Sequence, residues 1–136
     1  MNKNEKEIKK VVGKFYSLIS GKRGECRDWN SFRELFYPNA RLIPHNFSNK
    51  GTFTTILYDV ETYIKSLESY LNKNNFFEEG IIHKIDIHRN TAQVDSSYIA
   101  KSDSKDIKPL KKGKNYIQLL FDGAAWKLVS MLWENE

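Results

Sequence analysis

The chain has a single cysteine, Cys26, in 136 residues, so it forms no intramolecular disulfide. This excludes a disulfide-stapled scaffold and makes the cytoplasm the expected location. No stretch approaches the ~20 consecutive apolar residues of a membrane-spanning helix, and no membrane partner is expected. Residues 1–10, Met-Asn-Lys-Asn-Glu-Lys-Glu-Ile-Lys-Lys, lack the apolar centre of a secretory signal. The seven glycines are scattered, which leaves no glycine-rich phosphate loop. The three histidines, His45, His83 and His88, do not have the close spacing of a zinc site, so neither metal nor cofactor is expected. No serine or cysteine stands in a nucleophile elbow or can be paired with a histidine.

What the chain does have is a core. Hydrophobic residues make up 40%, aromatic residues 13% and charged residues 29%, the composition of one folded domain spanning residues 1–136. The formal net charge of +5 raises the question of nucleic acid. Six of the lysines, Lys101, Lys105, Lys108, Lys111, Lys112 and Lys114, crowd into one segment with Asp103, Asp106 and Pro109. No aromatic residues sit among them for base stacking. The segment reads as a solvated loop between strands, with no nucleic-acid partner.

Three helices are expected in the first half. Ile8, Val11, Val12, Phe15, Leu18 and Ile19 recur at helical spacing over 5–20. Gly13 within that helix suggests close packing, because glycine there costs about 1 kcal/mol against alanine. Asp28 caps a short helix carrying Trp29, Phe32 and Phe36, which ends at Tyr37-Pro38. Asp59 caps a third helix reaching about residue 72, with Val60, Tyr63, Ile64, Leu67, Tyr70 and Leu71 as its apolar stripe. Short strands are expected at 40–44 and 52–57. Long strands follow at 76–88 and 91–101. A closing hairpin turns at Asp122-Gly123, the strongest short-range hairpin signal. Both arms of that hairpin carry large apolar residues at odd and even positions, so both faces are expected to be covered. Helices first and an antiparallel meander last is the order of an α+β fold.

Three segments carry a family resemblance. Asp28-Trp-Asn-Ser-Phe-Arg-Glu-Leu-Phe-Tyr-Pro-Asn-Ala-Arg-Leu42 forms a helix-to-strand unit. Phe76-Phe-Glu78 opens a long strand, and Tyr116 to Trp133 forms the closing hairpin. In this order the chain resembles the nuclear-transport-factor-2-like (NTF2-like) superfamily, in particular its bacterial SnoaL-like and ketosteroid-isomerase-like branches. The resemblance implies a cone-shaped α+β fold, with three N-terminal-half helices packed on a strongly curved, mostly antiparallel sheet. It also implies a homodimer through the sheet. Fold alone carries little about function.

Isomerases of this superfamily use a carboxylate base on the strand after the second helix. The resemblance places that base at Pro44, which takes no proton, and leaves neighbouring His45 as the substitute. The same enzymes place a tyrosine on helix one, and Tyr16 lies near that position. Glu78 matches the family's glutamate. A buried carboxylate has a raised pKa and serves as acid or base. The catalytic candidates are therefore Tyr16, His45 and Glu78.

Folding the hairpin with an even-length turn puts Tyr116, Gln118, Leu120, Val129, Met131 and Trp133 on one face. Ile117, Leu119, Phe121, Trp126, Leu128 and Leu132 fall on the other. The first set has the mixed character of a ligand pocket. With the rest of the cone, the expected lining is Trp29, Phe32, Tyr63, Glu78, Tyr98, Gln118 and Trp133. The second set is uniformly apolar and is assigned to a dimer interface. Three functional readings result. The first is a protein with a hydrophobic pocket for a small apolar or aromatic ligand and no established catalysis. The second is an acid–base lyase or isomerase of the ketosteroid isomerase or polyketide cyclase kind. The third is a protein-interaction adaptor.

Overall fold

The computed structural model describes residues 2–103 and 105–136. Helix α1 (Lys3–Ile19) begins where the Asn2 side chain accepts the Glu5 N–H at 2.8 Å. It buries Ile8, Val12, Phe15, Tyr16 and Ile19, the face its spacing predicts. Helix α2 (Trp29–Glu34) starts at the Asp28 cap, which accepts from Ser31 N–H at 3.0 Å. It stops earlier than expected, and Phe36 opens the first strand instead of closing the helix. Helix α3 (Val60–Leu71) starts with a reciprocal cap. Asp59 accepts from Thr62 N–H at 2.8 Å, and the Thr62 hydroxyl accepts from Asp59 N–H at 3.1 Å.

Six strands follow or interleave: β1 (Phe36–Phe47), β2 (Phe53–Thr55), β3 (Phe77–His88), β4 (Thr91–Lys101), β5 (Lys111–Phe121) and β6 (Trp126–Asn135). They form one curled sheet in the order β2-β1-β6-β5-β4-β3. Only β1 and β6 run parallel. The three helices cover one face of this sheet. The buried strand residues alternate along β4 as Ala92, Val94, Ser96, Tyr98 and Ala100.

The closing hairpin corrects the expected partition of faces. Phe121 pairs with Trp126 across a four-residue turn, as an even-length turn requires. Leu119 then pairs with Leu128, but Gln118 pairs with Ser130, so Val129 is an extra residue. This β-bulge shifts side-chain parity by one. Beyond it Ile117 faces inward with Met131, and Asn115 with Trp133, while Tyr116, Gln118 and Leu132 face outward. The alternation in β6 of large residues at even and then odd positions is thus one buried face interrupted by a bulge. The apolar set assigned to a dimer interface is mostly the chain's own core. Ile117, Leu119, Trp126 and Leu128 are buried at 2% exposure or less.

Two further expectations change. The lysine-rich segment is not all loop, since Lys101 ends β4 and Lys111, Lys112 and Lys114 belong to β5. Lys114 pairs with Asp95 at 3.0 Å and Lys112 with Glu136 at 3.4 Å on the outer face. Gly13 is exposed, and a methyl group there would meet nothing within 4 Å. Two glycines in the strands leave no room for a side chain. A Cβ at Gly80 would stand 2.1 Å from Tyr16 Cε2, and one at Gly113 would stand 2.4 Å from the Tyr98 hydroxyl. Each strand backbone is approached closely by a tyrosine, and at Gly113 by the Glu134 carbonyl as well.

Opposite signs are therefore expected at two glycines. Gly13→Ala raises unfolding free energy by about 1 kcal/mol through helix propensity. Gly80→Ala lowers it by roughly 1–3 kcal/mol through overpacking against Tyr16. Urea unfolding of the two variants beside the parent measures both.

Candidate functional site

Between α3 and the inner face of the sheet lies a cavity of about 400 Å³. Its helical wall is Tyr63, Ser66, Leu67 and Tyr70, from the stripe that α3 does not bury against the sheet. Phe15 of α1 and Phe76, just before β3, close one side. Glu78, Tyr98, Asn115 and Trp133 come from four successive neighbours in the sheet, β3, β4, β5 and β6. Leu110 and Lys111 complete the rim. Its size and mostly apolar lining with a few polar groups are those of small-molecule sites in general.

Glu78 is held by its backbone. Its N–H donates to Ser20 Oγ at 2.9 Å, and that hydroxyl donates to the Tyr16 carbonyl at 2.8 Å. The serine that ends α1 therefore fixes where β3 begins. The Glu78 carboxyl has no hydrogen-bond donor among the described residues. Burial pushes its pKa up to about 7, and the nearby Lys111 charge pulls the other way.

Three phenols surround this carboxyl. Tyr16 is 4% exposed, and its hydroxyl lies 3.1 Å from Ser96 Oγ. Tyr98 donates to Asn135 Oδ1 at 2.5 Å. Tyr63 stacks on Phe32 with centroids 6.2 Å apart and meets Trp133 edge-on at 5.9 Å. Burial raises the pKa of all three, and the Glu78 charge adds to each shift. Asn115 is 3% exposed and leaves Oδ1 without a partner among the described residues.

The structure brings together Tyr63, Glu78, Tyr98 and Trp133 of the residues expected at a pocket. It separates three others. Phe32 has no exposed surface and fills the core behind Tyr63. Trp29 packs edge-on against Phe32 at 5.4 Å and borders a different, smaller cleft with Cys26 and Glu68. Gln118 stands on the outer face, bonded to Gln93 at 3.3 Å and Ser130 at 3.1 Å, because it shares the outward parity of Lys114 and Tyr116 on the regular strand β5. Among the catalytic candidates, His45 lies on the β1–β2 hairpin, outside this cavity. Its Nδ1 is 2.6 Å from Thr55 Oγ1, and its ring stacks on Phe53 at 5.2 Å. Tyr16 lies behind the wall, close against Gly80.

Sequence reasoning missed Ser66, Leu110, Lys111 and Asn115. Leu67 and Tyr70 were visible in the apolar stripe of α3 but were not assigned to a pocket. Lys111 is hidden in a lysine run, and Asn115 shares the parity of Ile117 and Leu119, the face that the sequence assigns to an interface. Among the described residues no helix is long and apolar enough to cross a membrane.

A definite pH dependence results from Glu78. The folded carboxyl keeps its proton up to about pH 7, whereas the ordinary value is 4.5. Its contribution to stability is full below 4.5 and is lost as pH rises through 7. The slope is at most about 1.4 kcal/mol per pH unit. Urea unfolding between pH 5 and 8 is expected to show Glu78→Gln losing less stability with rising pH than the parent. Equal slopes would place the carboxyl in water.

No family model matches the chain, and no curated protein matches it. Solved structures do. An NTF2-like protein of unknown function from Shewanella baltica is 18% identical, with 97% of this chain and 93% of that chain covered and a TM-score of 0.63. A protein of unknown function with a cystatin-like fold from Nostoc punctiforme is 13% identical over 97% and 90% of the two chains, with a TM-score of 0.73. An NTF2-like protein with a cystatin-like fold from Novosphingobium aromaticivorans is 12% identical over 97% and 81%, with a TM-score of 0.73. Helices on one face of a curled, mostly antiparallel sheet, together with these likenesses across nearly the whole chain, give this protein the NTF2-like, cystatin-like cone fold.

Proposed function

We propose that this protein binds a small molecule with an apolar or aromatic body in the cavity between α3 and the sheet. The observation that carries the reading is a carboxyl, Glu78, in an aromatic-walled cavity of about 400 Å³ without a donor from the described residues. A core that only needed filling would place an apolar side chain there, since burying a carboxyl without a partner is costly. Aromatic walls supply affinity through burial, and one polar group supplies orientation.

An acid–base lyase or isomerase is the second reading. Its support is the same carboxyl, poised at about 7, the range that suits proton transfer at neutral pH. The adaptor reading draws on a different surface, where Phe47, Phe53 and Leu57 stand 57–68% exposed on and beside the β1–β2 hairpin. A sheet-to-sheet homodimer also remains part of the proposal. Ile81, Tyr116 and Leu132 are exposed on the outer sheet face between charged neighbours. Light scattering is expected to give a dimer mass for the parent and a monomer mass for Leu132→Asp.

Binding is tested by amide NMR titration with 1-naphthol as an uncharged aromatic probe. Shifts are expected to gather on Tyr63, Phe76, Glu78 and Trp133. Leu67→Trp, which fills the cavity, is expected to remove them while the spectrum stays folded. Shifts confined to the outer face, or none, would end the pocket reading.

A further inference from the structure

We propose that the cavity's ligand is a small organic ammonium, an amine with an apolar or aromatic body whose charged nitrogen pairs with Glu78. The inference rests on the pocket reading above and specifies its ligand.

Three observations point the same way. The Glu78 carboxyl lacks a donor from the described residues, and an ammonium supplies up to three N–H donors and a compensating charge. The surrounding wall presents Tyr63, Tyr70, Phe76 and Trp133, rings whose faces attract cations. The chain also carries an internal precedent. The Lys111 ammonium sits 5.5 Å from the Phe76 ring centroid and acts electrostatically on Glu78. An alkylammonium over this ring is therefore already part of the structure, at the rim, and its charge acts on Glu78 from there. Above pH 7, where Glu78 is ionised, an anionic ligand would instead set like charge beside it and leave the carboxylate without a donor.

The pairing is linked to pH. The groups facing Glu78 are Tyr16 from α1, Tyr63 from α3, Tyr98 from β4 and Lys111 from β5. Burial keeps the three phenols protonated through neutral pH. Glu78 is thus the group that changes charge on binding. The incoming ammonium keeps its own proton, and Glu78 releases one to solvent. Affinity for an ammonium rises as pH goes up through about 7 and is level above it.

The test is isothermal titration calorimetry of the full chain with three probes of one shape: 2-phenylethylammonium, 2-phenylethanol and 3-phenylpropanoate. At pH 8 the ammonium is expected to bind about tenfold more tightly than the alcohol. At pH 6 its affinity is expected to fall about tenfold, and that of the alcohol to stay the same. Glu78→Gln, close in shape to the parent, is expected to bring ammonium and alcohol within about twofold and to remove the pH effect. Lys111→Gln removes the competing cation, so it is expected to hold or strengthen ammonium binding. The pH profile of the parent decides the question should Glu78→Gln fold poorly. Tighter binding of the alcohol or the propanoate than of the ammonium overturns the ammonium inference and leaves the pocket reading standing. Binding by none of the three overturns it as well, and the 1-naphthol titration then decides separately whether the cavity is a site at all.

Discussion

One extra residue in β6 organises the interior of this protein. Side chains on a strand alternate strictly, so a regular hairpin would put Trp126 and Leu128 on one face and Met131 and Trp133 on the other. Val129 opens a bulge that resets the alternation, and all four face the helices. Three of them are buried at 2% exposure or less, and Trp133 forms a wall of the cavity. On the paired strand β5 the alternation is uninterrupted, with Asn115 inward and Gln118 outward, so the bulge brings Trp133 to the same side as Asn115. The cavity's composition and the polarity of the outer face both depend on that residue.

A second constraint acts where helix α1 meets the sheet. Tyr16 lies against Gly80, and Tyr98 lies against Gly113, at distances that exclude any β-carbon. The first contact sets how near helix α1 and β3 approach, and the second lies between the paired strands β4 and β5. With Ser20 joining the end of α1 to the backbone of Glu78, they place a carboxyl at the wall of an aromatic-lined cavity. The raised pKa of Glu78 is the electrostatic consequence of that packing. An interior that carries such a cost without a compensating partner of its own is under-determined as a core and suited to receiving a donor from outside.

Local signals were readable to within a few residues. The Asp28 and Asp59 caps, the 3.6-residue stripes of α1 and α3, and the turns at His88–Asn90 and Asp122–Gly123 each arise from interactions between near neighbours in sequence. The site was readable in part. Tyr63, Glu78, Tyr98 and Trp133 all line the cavity, yet Trp133 was assigned by a regular register that the bulge replaces. Trp29 and Phe32 carry the right chemistry but sit one layer away, because α2 packs behind Tyr63. Gln118 failed through parity alone. Lys111 failed because a lysine in a run of lysines has no local mark of its distant ring, Phe76.

By itself, then, the sequence determined the elements, their order and the α+β class, since capping, periodicity and turn chemistry act over three to five residues. Only the tertiary structure decided which carboxyl is buried, which face of the hairpin is inside, and which lysine reaches an aromatic wall. Those outcomes depend on register and on contacts between residues up to 122 positions apart, such as Asn4 with Trp126. The bulge at Val129 moves Met131 and Trp133 to the inner face without altering the hydrophobic content that composition reports.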